Sequence, residues 1–216
     1  DNKKMFNMIN EKETEGIFQM ESAEATNMCI KAQVDNVEDV IAINAFNRPG
    51  TKDGFPTYCK NKLHPENIKV LHEDLREIFK KTHCVLLYQE QALQMFRHAG
   101  FAEKDVDNAR RAIGKKIKKV MESLKGDFEK GLLKIGWNQY QIDEIWELMV
   151  KQSEYCFNKG HSVAYGLLSY LTAYLKHYYP LEFLTASLNA KMGNNGKTGI
   201  LIDECKKYGI TVAPPN

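Results

Sequence analysis

Residues 157–183 read FNKGHSVAYGLLSYLTAYLKHYYPLEF and form the most strongly apolar and periodic stretch of the chain. Apolar side chains recur there at steps of three and four, which places them on one face of an α-helix. Further leucines widen that face enough for burial on most sides, so the pattern predicts a core helix. Pro180 cannot continue the helix and restricts the residue before it, so the helix should end near Tyr179. The predicted core face comprises Val163, Leu167, Leu168, Leu171, Tyr174, Leu175 and Tyr178.

A compact group of polar side chains stands at the start of this helix. It comprises Asn158, Lys159, Gly160, His161 and Ser162. Asn158 or Ser162 can cap the backbone N–H groups that lack a partner in the first helical turn. The helix start also carries a partial positive charge, and a lysine, a histidine and a hydroxyl beside it suit a phosphate. The group therefore indicates either a phosphate site or an ordinary helix cap.

The composition is ordinary for a globular protein. Of the 216 residues, 43% are hydrophobic and 27% are charged, which does not suggest a disordered chain. No run reaches the roughly 18 apolar residues of a membrane-spanning helix and no signal-peptide pattern is present, so we expect a cytoplasmic protein with no membrane partner. The five cysteines are widely spaced without a CxxC pair, which implies neither a zinc site nor a disulfide framework. Because the chain starts at Asp1 rather than Met, we expect it to be a piece of a longer polypeptide.

Positive charge is concentrated between residues 97 and 125. This segment has nine Lys or Arg and four acidic residues, a net charge of +5 in a chain whose total is +2. Most of its cations stand on either side of Gly114, which separates two predicted helices. Such a concentration is typical of a site for a polyanion, although a solvated helix face has the same composition. The candidate residues are Arg110, Arg111, Lys115, Lys116, Lys118 and Lys119.

The rest of the chain alternates helical periodicity with short breaks. Ser22 and Asn36 are expected to cap two of the helices. Residues 51–67 predict a long surface loop, residues 84–88 a strand, and residues 16–22 a short extended run. The fold class is therefore mostly α, a multi-helix domain with at most a few short strands. Helices other than the one already described are predicted over residues 2–10, 22–32, 37–46, 72–81, 89–98, 103–113, 116–133, 139–152, 181–191 and 197–207.

Two patterns that imitate catalytic or nucleotide-binding motifs are rejected. Asp105 and Asp107 are two residues apart on a helix and so do not share a face, unlike paired metal ligands. Residues 193–198, GNNGKT, have two rather than four residues between their glycines and follow a helix, so they do not form a phosphate loop. No catalytic or metal-binding residue is predicted in the chain.

Several short words of the sequence resemble those of a known family. Residues 157–165 read FNKGHSVAY, and residues 107–116 read DNARRAIGKK. They resemble F-N-K-S-H-S-A-A-Y and A-D-x-L-R-R-A-M-G-K-K of the bacterial replicative DNA polymerase III alpha subunits, the C-family polymerases. Matching words occur in the family's order along essentially the whole chain, although Thr51, Cys156 and Gly160 depart from them. The other matching words are GIFQMES at residues 16–22, VEDVIAINAFNRPG at 37–50, YQEQALQ at 88–94, YPLEF at 179–183, and DEC and GI before the final prolines at 203–215.

The resemblance implies that residues 1–216 are the fingers region of such a polymerase, with a possible sub-boundary near residues 192–197. The fingers would position the incoming dNTP and the template–primer DNA against a palm domain, which lies in the remainder of the alpha subunit and holds Mg²⁺. This chain alone would then be inactive. The dNTP site implied by the resemblance is Asn158, Lys159, His161, Ser162, Tyr165, Arg110 and Arg111. The implied DNA contacts are Lys115, Lys116, Lys118, Lys119 and Arg48.

Two other function classes stay open at the level of the sequence. A stand-alone helical nucleic-acid-binding module would bind DNA with a steep salt dependence but without preference for a dNTP. A helical interaction scaffold would bind neither, and its basic segment would be solvated.

Overall fold

The structure, a computed structural model, describes residues 2–114, 118–153 and 156–213, and these ranges hold twelve α-helices. The only β-type pairing recorded within them is an isolated parallel bridge between Tyr88 and Phe157. The predicted mostly-α class is therefore confirmed. The helices are α1 Lys3–Asn10, α2 Ala23–Ala32, α3 Val37–Phe46, α4 Phe55–Leu63, α5 Asp74–Ile78, α6 Gln89–His98, α7 Glu103–Gly114, α8 Lys118–Lys134, α9 Gln139–Ser153, α10 Lys159–Tyr178, α11 Pro180–Ala190 and α12 Asn195–Lys207.

Helix boundaries follow the capping residues that the sequence predicts. The Ser22 hydroxyl accepts the backbone N–H of Ala25 at 3.2 Å, and the Asn36 side-chain oxygen accepts that of Asp39 at 3.0 Å. These bonds satisfy N–H groups that have no partner inside α2 and α3. The end of α10 at Tyr178, just before Pro180, is also where the sequence predicts it.

The chain divides into two compact units. The first contains residues 1–44 and 163–216, and the second contains residues 45–162. Helices α3 and α10 each contribute residues to both units. The assignment of residues 1–216 to one fingers region, with a sub-boundary near residues 192–197, stays a prediction.

An aromatic cluster forms the centre of the second unit. The Phe96 ring lies 5.4 Å from the Phe128 ring and 6.2 Å from the Trp146 ring, both in edge-on geometry. These three side chains come from α6, α8 and α9 and are almost completely buried. Burial of aromatic area, with the added preference of rings for edge-on contact, holds the three helices together.

A very close backbone approach within this unit occurs at Gly131 on α8. A Cβ atom there would overlap the carbonyl oxygen of Ala99, at the end of α6, whereas a Cβ on Gly126 of the same helix would meet no atom within 4 Å. We expect Gly131→Ala to lower the free energy of unfolding by about 1–3 kcal/mol, because backbone would have to move apart. Gly126→Ala is the matched control and should raise it by about 0.5–1 kcal/mol. Urea unfolding of both variants tests this, and equal effects would contradict it.

The prediction of which face of α10 is buried is wrong. Its four leucines are 37–51% exposed, whereas Ser169, Ala173 and Lys176 are buried. Small residues occupy the buried face because another helix approaches closely: a Cβ on Gly166 would lie 2.6 Å from Ile41 Cγ1 on α3. Ser169 Oγ accepts a hydrogen bond from the Asn44 amide at 3.1 Å on the same face. Within the first unit, α10 is therefore packed through its small and polar side chains.

The segment predicted as a loop, residues 51–67, is mostly helical. It contains a 3₁₀ turn at Lys52–Gly54, the helix α4 and a second 3₁₀ turn at Pro65–Asn67. Phe55 and Tyr58 on α4 are buried against Phe46, with ring centres 5.5 Å and 5.2 Å apart. Tertiary packing of these rings stabilises a helix whose sequence shows little periodicity. The loop prediction is therefore wrong.

Neither predicted extended segment forms a strand. His83 and Cys84 have φ values of 48° and 62°, which place the start of residues 84–88 in left-handed conformation rather than in extended backbone. The Gln91 side-chain oxygen accepts the backbone N–H groups of Leu87 and Tyr88 at 2.9 Å and 2.8 Å, so a side chain takes the place of a partner strand. Residues 16–20 form turns and a bend, with positive φ at Gly16 and Gln19.

Candidate nucleotide and DNA interface

The start of α10 is fixed beside the start of α6 within the second unit. The Phe157 N–H donates to the Leu87 carbonyl at 2.9 Å, and the Gln89 N–H donates to the Phe157 carbonyl at 3.0 Å. This short parallel pairing sets the position of the polar residues that follow Phe157. We call Asn158, Lys159 and His161 the head of α10.

Asn158 is the N-terminal cap of α10. Its side-chain oxygen accepts the backbone N–H of His161 at 2.8 Å. The alternative cap, Ser162, is buried within the helix, and its backbone N–H bonds the Asn158 carbonyl at 3.2 Å. Of the two caps that the sequence allows, the structure therefore selects Asn158.

A carboxylate of the protein itself binds a backbone N–H group at the head of α10, where an anion would otherwise bind. The Lys159 backbone N–H lies 2.9 Å and 3.1 Å from the two carboxylate oxygens of Glu90, in the first turn of α6. The Asn158 amide approaches the same carboxylate at 3.4 Å. A negative charge at a helix start is stabilised by the helix dipole and by the N–H groups there.

The Lys159 side chain extends over an aromatic ring at the edge of a small cavity. Its ammonium nitrogen lies 5.7 Å from the centre of the Tyr88 ring, a cation–π geometry. The cavity has a volume of about 210 Å³, and Lys80, Lys81 and Glu77 also line it. His161 is exposed, with its ring 5.5 Å from that of Phe157. The head therefore presents a cation and an imidazole at the surface of the second unit.

The basic segment is only partly within the described residues. Arg110 and Arg111 lie exposed on α7 and both bond Asp107, at 2.7 Å and 2.8 Å. The hydrogen bond from Arg110, together with the charge of Arg111, holds the pKa of the Asp107 carboxyl below its usual range. Lys119 is exposed on α8. Lys115, Lys116 and the side chain of Lys118 lie outside the described residues.

Two further predicted site residues, Arg48 and Tyr165, each have contacts within their own unit. Arg48 is half-buried in the turn after α3, and its carbonyl accepts the Thr51 hydroxyl at 2.9 Å. Tyr165 belongs to the first unit, where its ring centre lies 5.3 Å from that of Phe18. The structure thus brings Asn158, Lys159 and His161 together.

Residues 1–136 match the family model of the bacterial DNA polymerase III alpha subunit finger domain. The chain belongs to this family. It is 39% identical, over 214 residues, to the DNA polymerase III subunit alpha of Borreliella burgdorferi, an alignment that covers 99% of this chain and 19% of the relative. It is 35% identical, over 217 residues, to the subunits of the same name from Staphylococcus aureus and Staphylococcus epidermidis, with 100% of this chain and 20% of each relative covered.

The resemblance seen in the sequence words is thus confirmed by the finger-domain family match. The chain spans about a fifth of the length of the curated relatives it matches. The matched finger-domain residues include α7 with Arg110 and Arg111, whereas the head of α10 lies beyond residue 136 and is covered by the alignments with the whole subunits.

The sequence does not predict three side chains that lie around the head of α10 in this finger domain: Glu90, Tyr88 and Lys80. Glu90 and Tyr88 fall within YQEQ, one of the words that resemble the family. An acidic residue in a first helical turn predicts only an interaction with its own helix dipole. The pairing of Phe157 with Leu87 and Gln89, which brings α6 to α10, is a tertiary contact that no local pattern indicates.

Metal-binding and membrane-spanning features are both absent from the part of this finger domain that the structure describes. Its residues hold no group of three or more His, Cys, Asp or Glu side chains arranged to bind a metal ion. Among the same residues, no helix combines the length and the apolar character needed to span a membrane.

Proposed function

We propose that this finger domain positions an incoming dNTP and template–primer DNA for phosphoryl transfer by a DNA-directed DNA polymerase. The palm, with its Mg²⁺ ions, would lie in the remainder of the alpha subunit. Catalysis of phosphoryl transfer depends mainly on positioning of the reactants and on stabilisation of charge. Cationic side chains on a rigid support contribute to both. The observation that carries the proposal is the head of α10, where Lys159 and His161 stand together beside a fixed carboxylate.

Lys159 is the residue we assign to the triphosphate or base of the dNTP. Its ammonium group is held over Tyr88 without a carboxylate partner among the described ion pairs, so its charge is available to an anion. Asn158 fixes the turn that carries it, and His161 stands on the exposed side of the same turn. Ser162 and Tyr165 stay predicted members of this site.

Replacing Lys159 by Ala in a complete alpha subunit that contains this segment should weaken dNTP binding. Loss of one charge-assisted contact is worth about 1.5–3 kcal/mol, so the apparent dNTP KM should rise roughly 10- to 150-fold. The dissociation constant for primed DNA should not change. Steady-state primer extension and a DNA-binding titration measure the two constants.

The matched control is Lys151→Ala, which removes an exposed lysine of α9 in the same unit. It should change neither constant. Loss of DNA binding at an unchanged KM in Lys159→Ala would reassign this lysine to the template or primer backbone. No change in either constant would leave the head of α10 an ordinary helix cap.

We assign the cations of the basic segment, together with Arg48, to phosphate groups. Arg110 and Arg111 present forked donors that suit phosphate oxygens, and we place them toward the dNTP. Their bonds to Asp107 are solvent-exposed and so can yield to a phosphate. Lys115, Lys116, Lys118, Lys119 and Arg48 are assigned to the DNA backbone.

The DNA assignment predicts a change in salt dependence. Replacing Lys115 and Lys116 together by Ala should lower the affinity for primed DNA whatever its sequence. The slope of log affinity against log salt concentration should flatten by roughly one unit for each phosphate that the protein no longer neutralises. Lys134→Ala, at the far end of α8, is the control and should leave the slope unchanged. An unchanged slope in the double variant would mean that both lysines are solvated.

A further inference from the structure

We propose that Glu90 is a positioning residue of the nucleotide site, which holds the head of α10 so that the Lys159 ammonium group faces the nucleotide. The proposal rests on the function proposed above. It concerns a residue of α6 that lies outside the predicted dNTP and DNA contacts.

The contact between Glu90 and the head is specific in its geometry. Both carboxylate oxygens lie within 3.1 Å of the Lys159 backbone nitrogen, and one of them is also 3.4 Å from the Asn158 amide. These residues are 68 and 69 positions apart from Glu90 in the chain, so the contact is tertiary and not part of a local cap. An ionised acceptor makes these bonds stronger than bonds to a neutral one.

The contact extends through Asn158 to His161. The Asn158 amide group turns its nitrogen toward Glu90 and its oxygen toward the His161 backbone N–H, at 2.8 Å. Glu90 therefore fixes the orientation of the side chain that caps the helix. In this way one carboxylate determines the placement of all three members of the head.

The start of α6 also supports the Lys159 side chain. Tyr88, two residues before Glu90, is buried and places its ring beneath the ammonium group. The backbone of Lys159 is thus held by Glu90 and its charge by Tyr88. Removal of the Glu90 carboxylate would release the Lys159 backbone while Tyr88 stays in place, so the charge would move relative to its aromatic support.

The arrangement determines which group meets the nucleotide. The Lys159 N–H already bonds a carboxylate, so a phosphate at this helix start would have to displace Glu90 and would be repelled by it. The cation offered to the nucleotide is accordingly the Lys159 ammonium group, not the helix N-terminus. If Glu90 were instead a competitor that vacates the helix start for a phosphate, its removal would tighten dNTP binding. The two roles predict effects of opposite sign.

The test uses a complete alpha subunit that contains this segment and compares Glu90→Ala with Glu90→Gln. In Glu90→Ala we expect the dNTP KM to rise about 3- to 30-fold, in the range for loss of a helix-capping contact, with kcat and the DNA dissociation constant unchanged. The side-chain amide of the second variant keeps an acceptor oxygen, so Glu90→Gln should restore the KM to within about threefold of the parent. Amide hydrogen exchange of a peptide covering residues 157–163 should accelerate in Glu90→Ala alone.

Glu77→Ala is the matched control, since Glu77 lines the same cavity but is exposed and pairs with Lys80 at 3.5 Å. It should alter none of these quantities. Should Glu90→Ala not fold, Glu90→Asp withdraws the carboxylate by one methylene and should also raise the KM, and no rise would overturn the proposal.

Each contrary outcome has a distinct meaning. A fall in the KM of Glu90→Ala would overturn positioning in favour of competition. An unchanged KM in Glu90→Ala, while Lys159→Ala still raises it, would overturn the inference and leave the proposed function standing. An unchanged KM in both variants, with faster hydrogen exchange in Glu90→Ala, would overturn the nucleotide role of the head and this inference with it.

Discussion

Replacing Lys176 by Met is expected to lower the free energy of unfolding by about 3–5 kcal/mol, the largest effect we predict for a single side chain. The Lys176 side chain is completely buried in the first unit. Its ammonium group bonds the Glu204 carboxylate at 2.6 Å and the carbonyl oxygens of Glu13 and Glu15 at 2.9 Å and 2.8 Å. One side chain of α10 thereby ties α12 to the turn that follows α1.

The cost arises from the groups that the substitution would leave behind. Met cannot donate a hydrogen bond, so two carbonyl oxygens and a buried carboxylate oxygen would lose their donor. Lys207 would continue to bond the second oxygen of Glu204, at 2.7 Å, from an exposed position. Adding Glu204→Gln to Lys176→Met should recover part of the loss, because the carboxylate charge would no longer be buried with a single partner.

Urea unfolding followed by circular dichroism measures the effect. The control is Lys206→Met, which removes an exposed pair with Asp203 on the same helix as Glu204 and should leave the unfolding midpoint unchanged. Equal midpoints for Lys176→Met and Lys206→Met would show that the buried bonds contribute no more than an exposed pair.

The buried pair of Lys176 and Glu204 also predicts that stability depends on pH. Burial by itself would raise the Glu204 pKa, but hydrogen bonds from Lys176 and Lys207 outweigh burial and hold the pKa below its ordinary value. A carboxyl group whose pKa is lower in the folded state stabilises that state above the ordinary glutamate pKa of about 4.3. This contribution is lost as the pH falls through the lowered pKa. The difference in free energy of unfolding between the parent and Lys176→Met should therefore shrink as the pH is lowered.

Local signals in the sequence were sufficient for most of the helices and their ends. Ser22, Asn36 and Pro180 act through bonds or steric limits within a few residues, so their effects can be read without knowledge of the fold. The orientation of α10 could not be read in this way. Its leucines satisfy the periodicity of a buried face, yet Gly166 and Ser169 lie against α3 because only small side chains permit that approach. Periodicity establishes that a helix has faces, and packing partners decide which face is buried.

The candidate site likewise combines local contacts, which the sequence predicts, with tertiary contacts, which it does not. Asn158 was predictable as a cap because it bonds a backbone group three residues away. Glu90 was not, because its bond to Lys159 depends on the pairing of Phe157 with Leu87 and Gln89. The sequence predicts a loop over residues 51–67 for a related reason, since Phe55 and Tyr58 become a helix face only against Phe46.

Replacing Gln91 by Leu should lower the free energy of unfolding by about 2–4 kcal/mol, because two buried backbone N–H groups would lose their acceptor. The Gln91 oxygen accepts the N–H groups of Leu87 and Tyr88, and its amide nitrogen donates to the Thr82 hydroxyl at 2.6 Å. No side chain of similar shape without a polar end can replace these bonds. Leu occupies a similar volume, so the loss would report on hydrogen bonding rather than on a cavity.

Gln94→Leu is the matched control, because Gln94 lies exposed on the same helix, α6, and should tolerate the change. Urea unfolding measures the global effect, and hydrogen exchange of residues 84–91 measures the local one. In Gln91→Leu the exchange at Leu87 and Tyr88 should accelerate, since these N–H groups bond a side chain in place of a strand. Equal stability of the two variants would contradict the prediction. A loss of stability without faster exchange at residues 87 and 88 would place the cost in the bond to Thr82 instead.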